Sequence, residues 1–161
     1  LDIAKINFFK RVKKLNSFAK KNKIKLLIEN NVISKKNYKK FGENPLLMCD
    51  PKEIVNFFKS FKDKNVGLLF DVAHFKVSSN CLSFDIKKGY KKIKKFIYGY
   101  HLSDNDGKMD TNKKFNSNSW FWRDLNNNAK FFTIEVYNVS FKDYKKLLKI
   151  VEKKIKYAPK Y

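Results

Sequence analysis

The chain has 161 residues, 43% of them hydrophobic and 32% charged, which suits one soluble domain with a core of its own. No apolar run approaches the roughly 20 residues that cross a bilayer as a helix, so no membrane-spanning helix is expected. The formal net charge is +22, but Arg11 and Arg123 are the arginines and lysine supplies the rest of the positive charge.

Taken from the start, apolar Phe8, Val12, Leu15 and Ala19 recur at helical spacing over 3–21, with lysines between them. A short strand over 24–29 follows, ending in Glu29. Residues 30–49 read as a long polar loop. Asp50-Pro51-Lys52-Glu53 is a helix start, with a capping acid, proline at the first helical position and a carboxylate three residues on. Ile54, Phe57, Phe58 and Phe61 then form an apolar stripe. A second strand over 66–71 ends in Asp71, and 72–84 reads as another loop. Asp85 caps a lysine-rich helix whose inner side carries Ile86, Tyr90 and Ile93.

A third strand over 96–101 ends in His101. Residues 102–119 form the longest loop, and Trp120 to Leu125 a short helix. The last strand, 131–136, carries Glu135 near its end. Ser140 caps a final helix with Tyr144, Leu147, Leu148 and Val151 facing inward. Strands alternating with helices predict an α/β fold with a parallel sheet. In a β/α barrel the C-terminal strand ends converge on one rim. Glu29, Asp71, His101 and Glu135 therefore meet in space although they are distant in sequence.

Three carboxylates and one imidazole are a hard, oxygen-rich ligand set. It suits Mn²⁺ or Mg²⁺ first, with Co²⁺, Fe²⁺ or Zn²⁺ as alternatives, and is unlike a closed Cys/His zinc site. Such an ion holds both oxygens of an α-hydroxycarbonyl and stabilises an enediolate, while a carboxylate moves the carbon-bound proton. Glu29 and Glu135 are the candidates for that proton transfer. His74, three residues after Asp71, reaches the same rim from the start of the loop and is expected to have a functional role there. Lys108 is placed to hold a substrate hydroxyl or phosphate, Asp104 to orient His101, and Asp110 to act as a further ligand or simply a loop acid. Asp106-Gly107 reads as a solvated turn. Trp120 and Trp122 either shield the mouth of the site or pack against the helix layer.

The elements Leu27-Ile28-Glu29-Asn30, Leu69-Phe70-Asp71-Val72-Ala73-His74, His101-Leu102-Ser103-Asp104-Asn105-Asp106-Gly107 and Ile134-Glu135, in this order, resemble the xylose isomerase-like TIM barrel superfamily. That group holds sugar isomerases and epimerases and the apurinic endonucleases of the same fold. The resemblance covers about 24–136. It implies that residues 1–161 are a single partial domain, the C-terminal half, about four strands, of a TIM (β/α)8 barrel. It also implies a metal-dependent sugar or sugar-phosphate isomerase or epimerase. Glu29, Asp71, His101 and Glu135 would bind the metal, Glu29 and Glu135 would transfer protons, and His74 would contact substrate oxygens.

The alternatives are an apurinic-site DNA endonuclease, a dehydratase, or a non-catalytic sugar-binding remnant of the same fold. The nuclease branch places a histidine two residues after its late aspartate, where Asn112 stands here after Asp110. Base and phosphate recognition also recruits arginine, so the lysine-rich surface reads as a solvated face and no nucleic-acid partner is expected. Cys49 and Cys81 form no metal pair and no secretory signal opens the chain, which suggests reduced thiols in the cytoplasm. The chain begins at Leu1, as if inside a longer reading frame. Four strands cannot close an eight-stranded barrel, so either a missing N-terminal half lies upstream or two copies pair, the first being favoured.

Overall fold

The computed structural model describes residues 2–126 and 128–156. The elements run α1 (Asp2–Lys21), β1 (Leu26–Glu29), α2 (Lys35–Phe41), α3 (Pro51–Phe61), β2 (Val66–Asp71), α4 (Val72–Leu82), α5 (Ile86–Ile93), β3 (Ile97–Leu102), β4 (Phe131–Ile134) and α6 (Phe141–Lys156). The four strands form one sheet in the order β1-β2-β3-β4, and every pair is parallel. This is the α/β arrangement that alternating strands and helices predict, and it matches part of a TIM barrel.

The sheet's outer face packs on the helices. Leu68 and Phe70 of β2, and Tyr100 and Leu102 of β3, are wholly buried against Ile54, Phe58, Phe75, Tyr90 and Ile93. Edge-on and stacked rings fill this layer; Phe58 stacks on Phe96 at 5.0 Å and Phe70 meets Phe75 edge-on at the same distance. The buried hydroxyls of Tyr90 and Tyr100 lie 2.7 Å apart, and the Asn126 N–H donates to the Tyr100 oxygen, so neither phenol is left without a partner.

Two loops expected from sequence contain helices. Residues 72–84 are mostly α4, because Asp71 caps it: one carboxylate oxygen accepts from the Ala73 and His74 N–H groups, each at 2.8 Å. Within 30–49, Ser34 caps the short α2 and Gly42, at φ 75°, ends it. Trp120–Trp122 is a single 3₁₀ turn rather than a longer helix. On α1, Leu15 is exposed and Asn16 takes the inner position, where it bonds Asp63 and Asn65. On α6, Leu147 and Val151 face inward while Tyr144 and Leu148 stay partly in solvent. A polar bond network and a narrower apolar stripe thus replace what hydrophobic spacing alone would assign.

Gly67 is required by close approach. A Cβ there would lie 2.8 Å from the Tyr98 Cβ and 3.1 Å from Leu27 Cδ2, so neighbouring strand atoms would have to move. Gly67→Ala is expected to lower stability by about 1–3 kcal/mol, as overpacking does, read as a shifted urea midpoint at unchanged slope.

Strands β1 and β4 have no outer neighbour among the described residues, and apolar side chains stand exposed on both flanks. Exposed apolar residues include Ile3, Ile6 and Phe18 of α1, Ile24 just before β1, Phe131 of β4, and Phe141 and Leu148 of α6. Open strand edges flanked by apolar surface seek partners. The isolated chain is expected to elute as a self-associated species or to aggregate in light-scattering chromatography. A monomer with a cooperative melt would contradict this.

Candidate metal centre

The register decides which side chains share the concave face of the sheet. Glu29 pairs with Leu69, Asp71 with His101, and His101 with Thr133. Leu69 and Asp71 are two residues apart, as are Thr133 and Glu135, so all four candidate ligands point to one side. This depends on an irregularity in β3. Leu68 pairs with Ile97 but Leu69 pairs with Gly99, leaving Tyr98 as an extra residue. Without that bulge, strict alternation from the outward Ile97 would turn His101 toward the helices and Tyr100 inward.

In a flat sheet β1 and β4 would be about 14 Å apart, three strand spacings. Here one donor atom from each of Glu29, Asp71, His101 and Glu135 lies within 4.8 Å of the others. Curling of the sheet closes part of that gap. The longer glutamates reach in from the outer positions, while Asp71 and His101 sit on the central strands.

His101 Nδ1 lies 3.0 Å from Glu29 Oε1, 2.8 Å from Glu135 Oε2 and 4.0 Å from Asp71 Oδ2. One ring nitrogen carries at most one proton, so it cannot satisfy three carboxylate oxygens. It donates to Glu29, leaving Asp71 Oδ2 and Glu135 Oε2 buried without a hydrogen bond; the Glu135 contact is close but poorly aligned. Buried orphan oxygens are costly, and a divalent cation is the partner such a set accepts. Donor atoms no more than 4.8 Å apart fit around an ion with bonds of about 2.0–2.6 Å.

The electrostatics follow from burial. Asp71 is fully buried, and desolvation pushes its pKa up to about 6 despite the opposing pull of His74. The bond to His101 holds Glu29 below the usual carboxylate range, and the same bond raises His101. His74 sits beside the cluster, its Nδ1 donating to the Asn30 carbonyl at 2.9 Å and its Nε2 3.1 Å from Asp110 Oδ2. Burial alone would lower His74; the bond to Asp110 and the charge of Asp71 prevail and lift it to about 9.

The structure brings His74 and Asp110 to the site but separates two other candidates from it. Asp104 does not touch His101. It accepts from Lys76 Nζ at 2.6 Å and from the Ser119 hydroxyl at 2.9 Å, because the chain has turned toward α4 by that point. Lys108 is exposed, and none of the described bonds or ion pairs ties its side chain to the cluster; its N–H instead closes the turn on Asp106. Trp120 and Trp122 pack, Trp120 stacking on Phe75 and Trp122 donating to the Asn116 carbonyl at 2.7 Å.

Asn30 closes the first matching element, and the sequence assigns it no role of its own. Its side chain pairs both ways with the Asp71 backbone, accepting from N–H at 2.8 Å and donating to C=O at 3.0 Å. It continues the β1–β2 ladder beyond the strand end and holds Asp71 in place. The polar residue directly after Glu29 was the available signal.

With this geometry the chain resembles a crystal structure described as a D-tagatose 3-epimerase-like protein, at TM-score 0.68 and 20% identity, over 92% of this chain and 53% of that one. The fold is that of a partial β/α barrel. The chain spans about half the length of that structure. No protein-family model matches the sequence, and no curated protein sequence does. Among the described residues no helix is long and apolar enough to cross a membrane.

Proposed function

We propose that this chain is the C-terminal half of a metal-dependent isomerase or epimerase that moves a proton next to the carbonyl of a sugar or sugar phosphate. The observation that carries the reading is the convergence of four donor atoms within 4.8 Å, one of them the orphaned, fully buried Asp71 Oδ2. The likeness to an epimerase-like fold supports it. Glu29, Asp71, His101 and Glu135 would hold the ion, with Mn²⁺ or Mg²⁺ best suited to the donors. When bound, the ion supplies Lewis acidity that makes the carbon-bound proton easier to remove.

The protein's own groups do the rest. Glu29 and Glu135 enter from opposite edges of the sheet and retain side-chain exposures of 38% and 31%, so both are open to a substrate above the cluster. One takes the proton and the other returns one from its own side of an enediolate, which inverts a centre or shifts a carbonyl. Asp71, with no exposed surface, cannot reach a substrate carbon and serves as an anchor. His74 lies beside the same cluster and is placed to meet substrate oxygens. The remaining barrel strands would come from a further N-terminal segment.

The test is a screen for deuterium exchange from solvent into ketoses and aldoses with the completed barrel, with and without added Mn²⁺. Metal-dependent exchange at a carbon adjacent to the carbonyl is expected. Nicking of an abasic duplex without any exchange would transfer the chain to the nuclease reading.

A further inference from the structure

We propose that Asp110 is a positioning residue for His74, delivered to it by a preformed loop over 104–113. The inference rests on the proposed function only for what the oriented ring does to substrate; the clamp itself stands on geometry.

The loop is pinned at its base, its middle and its turn. Asp104 and Lys113 exchange backbone hydrogen bonds at 2.8 and 2.7 Å, closing the base. The buried Asn105 side chain donates to the Ala73 carbonyl at 3.0 Å and accepts from the Gly107 N–H at 2.8 Å. Asn80 of α4 donates to the Gly107 carbonyl at 3.0 Å. Gly107 has φ 78°, and a Cβ there would collide with the Asn80 amide, so this seat requires glycine. The Asp106 carboxylate takes the Lys108 N–H at 2.9 Å and closes the turn. Beyond it, the Asn112 carbonyl accepts from the Tyr137 N–H at 3.0 Å, tying the loop to the segment after β4. A solvated turn with no task would not need so many fixed contacts.

What the loop presents is Asp110. Its Oδ2 lies 3.1 Å from His74 Nε2, while the other ring nitrogen is held by the Asn30 carbonyl at 2.9 Å. Glu29 Oε1 and Asp71 Oδ2 also face the ring, but each at 3.9 Å, beyond hydrogen-bond reach. Asn30 and Asp110 therefore fix the ring plane from opposite sides, and Asp110 is the half of the clamp that a side chain supplies. The Asp110 side chain keeps 30% exposure, so it sits at the mouth of the site rather than among the four converging donors. Carboxylates that orient a functional imidazole act in this way at many sites.

The test uses the full chain, whose two histidines are easily separated by peptide mapping. Diethylpyrocarbonate modification of His74 at pH 7, followed by mass spectrometry, reads whether a ring nitrogen is free. Asp110→Ala is expected to speed His74 modification clearly above wild type, because the Nε2 contact with Asp110 is then lost. Asp110→Asn keeps an acceptor oxygen and is expected to stay near wild type. Mn²⁺ affinity, by titration calorimetry, should be unchanged in both variants, because Asp110 is not a ligand. D-tagatose binding to the Mn²⁺-loaded completed barrel should weaken in Asp110→Ala and recover in Asp110→Asn. Unchanged His74 reactivity in Asp110→Ala would overturn the proposal. So would loss of a metal equivalent in that variant, which would make Asp110 a ligand. If the completed wild-type barrel binds no ketose, the proposed function fails, while the reactivity arm still decides the clamp.

Discussion

Replacing Asp71 with asparagine is expected to weaken Mn²⁺ binding by more than about a hundredfold, beyond the roughly 10–100-fold lost when an outer partner of a metal ligand is removed. Titration calorimetry or Mn²⁺ spin resonance would measure it. The substitution separates the two tasks of this carboxyl. Oδ1 caps α4 through the Ala73 and His74 N–H groups, and an asparagine oxygen keeps that cap. Oδ2 faces the cluster without a hydrogen bond, and it is this atom that the substitution changes. The fold should therefore survive, with an unchanged far-ultraviolet circular dichroism spectrum.

The same residue sets a pH dependence. Burial raises Asp71 from 3.8 to about 6, so the folded chain holds this proton more tightly than the unfolded chain does. For this group the stabilisation is complete below about pH 4 and is lost as pH rises through about 6. At pH 7 the metal-free protein thus carries a buried charge costing on the order of 3 kcal/mol. Asp71→Asn removes that charge, so the metal-free variant should melt higher than wild type at pH 7 and show little difference near pH 4. A lower melting temperature at pH 7, in a variant that still binds Mn²⁺, would show that Asp71 is structural alone. In the wild type, Mn²⁺ affinity should fall as pH drops below about 6, where the proton competes for Oδ2.

Glu135→Gln in the completed barrel is expected to abolish turnover, with exchange slowed about 10²–10⁴-fold at saturating Mn²⁺, the usual worth of a positioned general base. Glutamine keeps the length and a carbonyl oxygen but cannot accept the carbon-bound proton. Glu29→Gln should slow exchange as well, because the proposed mechanism divides the transfer between the two glutamates, which meet the same His101 nitrogen from opposite edges. Far-ultraviolet dichroism should not move for Glu135→Gln, since glutamine keeps the length and shape of the side chain. Unchanged exchange would remove Glu135 from the mechanism and leave it only as a ligand.

Much of this was legible in the chain. The four apolar runs, each closed by a residue able to bind a metal or move a proton, correspond to β1 to β4 within a few residues at each end. The Asp50-Pro51 helix start and the Asp85 cap are present as read. These signals are local: a cap needs one side chain and the next turn, and an apolar stripe needs only its own spacing. The misassignments share a cause. Residues 72–84 read as loop because the residue that starts α4 is also a site candidate, and one carboxyl offers one oxygen to the cap and the other to the cluster. Sequence spacing places Asp104 three residues after His101, but after β3 the backbone turns toward Lys76, and sequence distance says nothing of that direction.

By itself the sequence determined the number of strands, the helices α3 and α5 between them, and the identity of the four residues at the strand ends. Hydrophobic period and capping chemistry are written residue by residue, and they suffice for that. Only the tertiary structure decided that those residues share one face. The extra residue at Tyr98 turns His101 inward beside Asp71, and the curl of the sheet brings Glu29 and Glu135 to the same nitrogen. It also decided that Asp110 reaches His74 across a loop pinned to α4. Register, curvature and loop path arise from contacts between distant segments, so no single stretch of the chain encodes them.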